Sequence, residues 1–108
     1  GFGLNETSTN LQNAKNGEVF EYTEMYPAYI AVAEMQGEDA AVKAMKYAIE
    51  AEKVHAELFG QAKGFVDAGK DLEAKVVQLC PVCGFVTITG EEEACPLCGC
   101  KASMFVEY

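Results

Sequence analysis

The chain has 108 residues, half of them apolar, and 17 acidic against eight basic side chains give it a formal charge of −9. Such an excess of carboxylates argues against nucleic acid or anionic lipid as a partner, and no run of about eighteen apolar residues is present to span a membrane. Five cysteines in so short a chain could mean a disulfide scaffold, but four of them form two C-x-x-C pairs and the fifth is odd. That spacing favours metal in a reducing compartment, so the expectation is cytoplasmic.

Residues 1–6 carry no periodic signal and read as a tail. No signal-peptide pattern opens the chain, and its start at Gly1-Phe2-Gly3 rather than Met leaves processing and truncation both open. Thr7, Ser8 and Thr9 offer an N-cap, with Gln12 spaced for a capping box on Thr9. A seam of alternating four- and three-residue steps follows: Leu11, Ala14, Glu18, Glu21, Met25, Ala28, Val32, Met35. Pro27 falls inside this pattern. Because the seam holds its phase on both sides, one kinked helix is expected, ending at an αL cap on Gly37.

A second helix is expected from about Glu38 to Ala68, stopping at Gly69. Its seam is Ala41, Met45, Ala48, Glu52, His55, Phe59, Ala62 and Val66. The opposite stripe, Lys43, Lys46, Glu50, Lys53 and Glu57, reads as a solvated face in which each glutamate has a lysine four residues upstream. The short turn at Gly37 makes the pair an antiparallel hairpin. At about 1.5 Å per residue, Glu21 and Glu52 then lie roughly 23 Å from the turn, and Glu18 and His55 roughly 28 Å. Three carboxylates and the only histidine therefore share one layer of the seam. A core histidine satisfied by one carboxylate would explain His55 and Glu52, but not the convergence of all four. Buried charge must be paired, hydrogen-bonded or metal-bound, so this layer calls for a cation.

After Gly69 the composition changes. Residues 70–75 read as a linker, Val76–Leu79 as extended, and Phe85–Ile88 and Met104–Tyr108 as short strands, with a turn at Thr89-Gly90-Glu91. Cys80-Pro81-Val82-Cys83-Gly84 and Cys95-Pro96-Leu97-Cys98-Gly99 are two copies of one knuckle, each able to present two thiolates above a glycine turn. About thirty residues cannot bury enough core to fold alone, so a metal on Cys80, Cys83, Cys95 and Cys98 must contribute to folding. Iron would make this a one-electron carrier and zinc an inert staple. Cys100 is surplus and is assigned no role.

Three stretches together carry a resemblance: Gly17-Glu18-Val19-Phe20-Glu21-Tyr22-Thr23-Glu24-Met25-Tyr26-Pro27, Ala51-Glu52-Lys53-Val54-His55, and the doubled C-P-x-C-G. From about Thr7 onward the chain resembles the rubrerythrins, which join a ferritin-like di-iron carboxylate bundle to a rubredoxin-like domain. The resemblance implies a fold of residues 1–71 as a helical hairpin, half of a four-helix bundle, followed by residues 72–108 as a rubredoxin-like four-cysteine domain. It implies non-haem di-iron held by Glu18, Glu21, Glu52 and His55, with one iron on the four cysteines, where zinc is the alternative. Glu18 and Glu52 correspond to bridging carboxylates, His55 to a terminal ligand, and Glu21 to a glutamate that joins one iron in the oxidised state. Tyr26 corresponds to a tyrosine that hydrogen-bonds a ligand carboxylate, with Tyr22 competing for that place.

The departure from the family is large: one E-x-x-H and two helices, where the family has two E-x-x-H motifs and four long helices. A complete site needs a second hairpin, either in a homodimer or higher oligomer or as a missing N-terminal helical half. The implied activity is a peroxidase reducing hydrogen peroxide, NAD(P)H-linked through a separate electron-donor reductase or small redox protein. The rival readings are a ferrous oxidase, a rubredoxin-type electron carrier with a docking hairpin, and a zinc-ribbon interaction module.

Overall fold

The computed structural model describes residues 5–108, so the expected tail lies outside the described residues up to position 4. An α-helix, α1, covers Thr7–Phe20; a single π-helical turn covers Glu21–Met25; and α2 continues as Tyr26–Met35. After a tight turn, α3 runs for 29 residues as Asp39–Asp67 and packs antiparallel against all three. Gly37 ends the first arm at φ 69°, with Glu38 N–H donating to Ala33 and Gly37 N–H to Glu34. This is a Schellman motif. Gly69, at φ 75°, repeats it for α3 through Lys70 to Phe65 and Gly69 to Val66.

Three expectations for the hairpin need correction. The capping box on Thr9 does not form: α1 begins three residues earlier, behind Glu6, which makes no side-chain cap, and Gln12 donates to Asn16. Asn10 instead clamps the entry, donating to the Asn5 carbonyl and accepting from the Asn5 N–H. On the solvated stripe, Glu50 pairs with Lys53 at 2.9 Å rather than with Lys46.

The third correction concerns the seam, which does not keep its phase through Pro27. The π turn adds one residue to the repeat, turning everything after it by about 100°. Ala28, Val32 and Met35 are consequently exposed, Met35 by 87%. Ile30 and buried Ala33 take their place, two residues after Ala28 and one after Val32. The turn begins at Glu21, before the proline. Tyr26 N–H reaches back to the Glu21 carbonyl, and Pro27, which has no N–H to offer, enters α2 where none is needed.

The C-terminal segment forms a three-stranded antiparallel sheet of two-residue strands, β1 (Gln78–Leu79), β2 (Val86–Thr87) and β3 (Val106–Glu107), with β1 central. Met104 belongs to a 3₁₀ turn, Ala102–Met104, rather than to the expected strand. Cys80, Phe85 and Cys95 form its core, on which Val54 of α3 and Phe105 also pack. Buried Thr87 donates to Glu92 at 2.7 Å and ties down the loop between β2 and the second knuckle.

The hairpin itself buries little. Among its described residues only Ala33, Ala51 and Ala56 are buried, while Phe20, Tyr29, Val32 and Met35 face outward. The described residues measure 49 × 35 × 17 Å. No helix is long and apolar enough to cross a membrane among the described residues.

Inserting an alanine after Glu24 should turn the rest of the arm by about another 100° and pull Ile30 and Ala33 off α3. The expected loss is about 2 kcal/mol or more by thermal or denaturant unfolding, whereas Glu24→Ala, at an exposed position, should change stability by no more than about 0.5 kcal/mol.

At the open end of the hairpin, Asp67 accepts from Lys63 Nζ at 2.7 Å and from Ser8 Oγ of α1. These two bonds, Lys63 first, hold its carboxyl below the usual 3.8. A folded pKa below the unfolded one gives stability that is present above the unfolded value and lost as pH falls through the folded one. Ser8→Ala should therefore raise the Asp67 pKa toward 3.8, read by carboxyl NMR titration, and make the unfolding midpoint less sensitive to acid below about pH 4.

Candidate metal centres

The two knuckles are built alike. Gly84 N–H donates to the Cys80 carbonyl and Gly99 N–H to the Cys95 carbonyl, while Cys80 and Cys95 donate to the carbonyls of Phe85 and Cys100. Both turns need a left-handed glycine, Gly84 at φ 86° and Gly99 at φ 79°. The hairpinned backbone brings Cys80 Sγ to 3.6 Å from Cys98 Sγ and Cys83 Sγ to 3.5 Å from Cys95 Sγ. Four sulfurs about 2.3 Å from one metal in a tetrahedron sit about 3.8 Å apart. A disulfide would bring a pair to about 2.05 Å, and all five cysteines are free thiols. Burial pushes the Cys80 thiol up, but the N–H groups of Cys83 and Val82 and the neighbouring thiols outweigh it and bring it down to about 7. Burial and the surrounding thiols push Cys83 and Cys98 up. Four thiols that cannot share this space as four thiolates fit one cation.

The second centre joins α1 and α3. Glu18, Glu52 and His55 each offer a ligand atom, all within 4.8 Å of one another. His55 Nδ1 lies 3.1 Å from Glu52 Oε2 and 3.5 Å from Glu18 Oε2. Its other nitrogen, Nε2, lies 2.7 Å from the Gly84 carbonyl oxygen. A carbonyl can only accept, so Nε2 carries a hydrogen. In the neutral ring Nδ1 then presents a lone pair to two carboxylate oxygens, an arrangement that either a second proton or a metal ion relieves. Glu18 Oε2 is fully buried with no hydrogen-bond donor. A carboxylate oxygen left so needs a cation, and the donor set of two carboxylates and an imidazole suits a first-row metal.

The remaining candidates lie close by but outside that cluster. Glu21 is partly buried at the first position of the π turn, and Tyr22 follows it. Tyr26 stands edge-on to Tyr29, ring centroids 6.3 Å apart, and no hydrogen bond from it to a carboxylate is seen among the described residues. Cys100 packs beside Cys80 and Cys95, its thiol 3.6 Å from the Lys101 carbonyl.

Two contributors were not visible in the sequence: the Gly84 carbonyl, and Ala51, which is 2% exposed. A Cβ on Gly84 would stand 3.8 Å from the Ala51 Cβ. The small side chain at Ala51 thus lets the first knuckle close onto α3 and meet His55. An alanine one turn from the E-x-x-H histidine was the available signal, but nothing in the sequence says which strand or loop it receives.

A carboxylate–imidazole site in a helical hairpin, touching a four-cysteine cluster made by a pair of knuckles, defines a non-haem iron protein of the di-iron, rubredoxin-containing class. Comparison with known proteins gives the family. The rubrerythrin family model matches residues 3–63. Rubrerythrin-2 of Clostridium acetobutylicum is 44% identical over 107 residues, covering 99% of this chain and 58% of that protein. Nigerythrin of Nitratidesulfovibrio vulgaris is 37% identical over 99 residues, covering 92% of this chain and 48% of its own length. A structure of nigerythrin in a partially reduced state superposes with a TM-score of 0.88 at 34% identity, over 98% of this chain and 52% of that one. The chain belongs to the rubrerythrin family, a family of non-haem di-iron proteins, and spans about half the length of the relatives it matches.

Withdrawing metal from the four cysteines, by a chelator under reducing conditions or by Cys95→Ser, should unfold the sheet and leave the hairpin helical. Hydrogen exchange is the measurement: amides of residues 78–80, 85–87 and 106–108 should lose protection while those of α3 keep it.

Proposed function

We propose that the chain is the catalytic half of a non-haem iron peroxidase, reducing hydrogen peroxide at a di-iron carboxylate site with electrons relayed through an iron on Cys80, Cys83, Cys95 and Cys98. One observation carries the reading: His55 faces Glu18 and Glu52 with one nitrogen and the first knuckle with the other. A staple or a docking hairpin has no use for that link. Nigerythrin has been solved in partially reduced, mixed-valent and all-ferrous states, which supports redox-active iron in this family.

In this reading Glu18 and Glu52 supply the negative charge that holds the metal pair, and His55 Nδ1 supplies a nitrogen. Glu21 stands by as a further carboxylate, and the Tyr26 hydroxyl serves as hydrogen-bond donor and proton source. When bound, a ferrous pair supplies the two electrons that convert hydrogen peroxide and two protons to two waters. The Gly84 carbonyl fixes the His55 tautomer, so the imidazole keeps its lone pair on the metal side. The other Glu and E-x-x-H come from a second helical pair, either a second copy of residues 1–71 or an N-terminal half. Residues 72–108 act as the electron-transfer domain, fed in the cytoplasm by an NAD(P)H-linked donor protein.

The test is peroxide-dependent oxidation of the reduced, iron-loaded protein. His55→Ala should cut turnover by about 10²-fold or more, and Cys80→Ala should spare one oxidation by peroxide while blocking re-reduction by a donor protein. Full peroxidase turnover in His55→Ala would end this assignment.

A further inference from the structure

We infer that the two metal sites of this chain load cooperatively, coupled by the Gly84 backbone, which Ala51 seats against α3. The inference concerns metal occupancy alone and stands whatever the loaded protein does to peroxide. The two sites meet at one point. His55 Nε2 donates to the Gly84 carbonyl at 2.7 Å, while Nδ1 faces Glu52 and Glu18 at 3.1 and 3.5 Å. Gly84 directly follows Cys83, and its own N–H donates to the Cys80 carbonyl at 3.0 Å. The group that orients the imidazole therefore belongs to the knuckle that carries two of the four thiols.

That knuckle has little besides a metal to hold its shape. Cys80, Phe85 and Cys95 are the only buried residues of its core, with Val54 of α3 packed on them. So small a core does not order itself, and without a metal the turn at Gly84 loosens. The His55 ring is then free to rotate, and its hydrogen is free to move to Nδ1, the nitrogen that must be bare to take a metal. A metal on the four cysteines removes that freedom in advance. The carboxylate site, where Glu18 Oε2 is buried without a donor, is then competent for a larger fraction of the time and binds its cation more tightly. An outer partner of a ligating histidine is worth about 10–100-fold in metal affinity. By linkage, a metal on Glu18, Glu52 and His55 tightens the four-cysteine site by the same factor.

The experiment titrates cobalt(II), without oxygen, into the full chain. Cobalt on thiolates gives intense sulfur-to-metal absorption, and cobalt beside His55 shifts the ring protons in the NMR spectrum, so each site is read by itself. Cys95→Ser, which cripples the four-thiolate site, should weaken binding at His55 by about tenfold or more. Ala51→Leu keeps every ligand, but its larger side chain has no room beneath Gly84 and should lift the knuckle off α3. It should lower the affinity at His55 to the level of Cys95→Ser, and adding Cys95→Ser to it should cost nothing more. Circular dichroism should show α3 still helical in each. Lys46→Leu, exposed on the same helix, should match the wild type. Wild-type affinity at His55 in Cys95→Ser would overturn the coupling, whatever Ala51→Leu does. An equal further loss when Cys95→Ser is added to Ala51→Leu would overturn the route through Gly84. No cobalt at His55 in the wild type with its thiolates filled would also sink the inference. Peroxide-dependent oxidation of the iron-loaded chain reports separately: its absence would end the proposed peroxidase and leave the coupling intact.

Discussion

The hydrogen bond from His55 Nε2 to the Gly84 carbonyl is the constraint on which most of this structure converges. It requires α3 to present its histidine at the height of Glu18 and the knuckle to approach α3 within backbone distance. It also requires Gly84 to hold a positive φ and carry no side chain, with nothing larger than Ala51 beneath it. Each demand is met by a small residue or a glycine, which is why the contact leaves so little trace of hydrophobic patterning. The bond also fixes what the other nitrogen does. With the hydrogen committed to a carbonyl, Nδ1 is left to two carboxylates, and a cation between them turns a repulsive arrangement into a ligand set.

The π turn sits one helical turn from that site. By absorbing an extra residue it leaves Glu18 in register with α3 while swinging the rest of the arm round, so that Ile30 and Ala33, rather than Val32 and Met35, pack inward. A proline one residue into α2 then costs no helical hydrogen bond. The same rotation leaves Tyr29, Val32 and Met35 exposed, and Phe20, just before the turn, is exposed as well. Single exposed apolar residues are ordinary, but several on one arm of a hairpin that buries only alanines mark a face made to be covered.

How much of this was legible follows from the range of each interaction. Helix limits, both αL glycines, the antiparallel pairing and the two knuckles depend on local spacing, and α3 was placed within one residue at each end. The shared height of Glu18 and His55 came from counting rise along two straight helices, and they lie 3.5 Å apart. The phase beyond Glu21 did not come out. A heptad count cannot see an inserted residue when the shifted and unshifted seams, Ala28-Val32 and Ile30-Ala33, are equally apolar. The cap at Thr9 failed for a similar reason: Asn10 bonding back to Asn5 competes for the same turn, and composition does not rank the two. The docking of the knuckle on Ala51 spans 33 positions of sequence with no charge or large side chain to announce it.

These features make the chain's stability a property of what it binds. Its sheet has a core of two cysteines and a phenylalanine, and those cysteines belong to the group of four that could hold a metal. Its hairpin has three buried alanines and an open face. Anything that binds only the folded form adds stability by mass action, so thiolate metal, carboxylate metal and covering helices each hold the others in place. The coupling is reciprocal. On the proposed reading, a metal at Glu18, Glu52 and His55 would take further ligands from a second helical pair. Metal binding would then tighten that association, and association would tighten metal binding by the same factor. The thin burial of this fold would then follow from its place in an assembly whose buried charges are satisfied when the parts and the metals are present together.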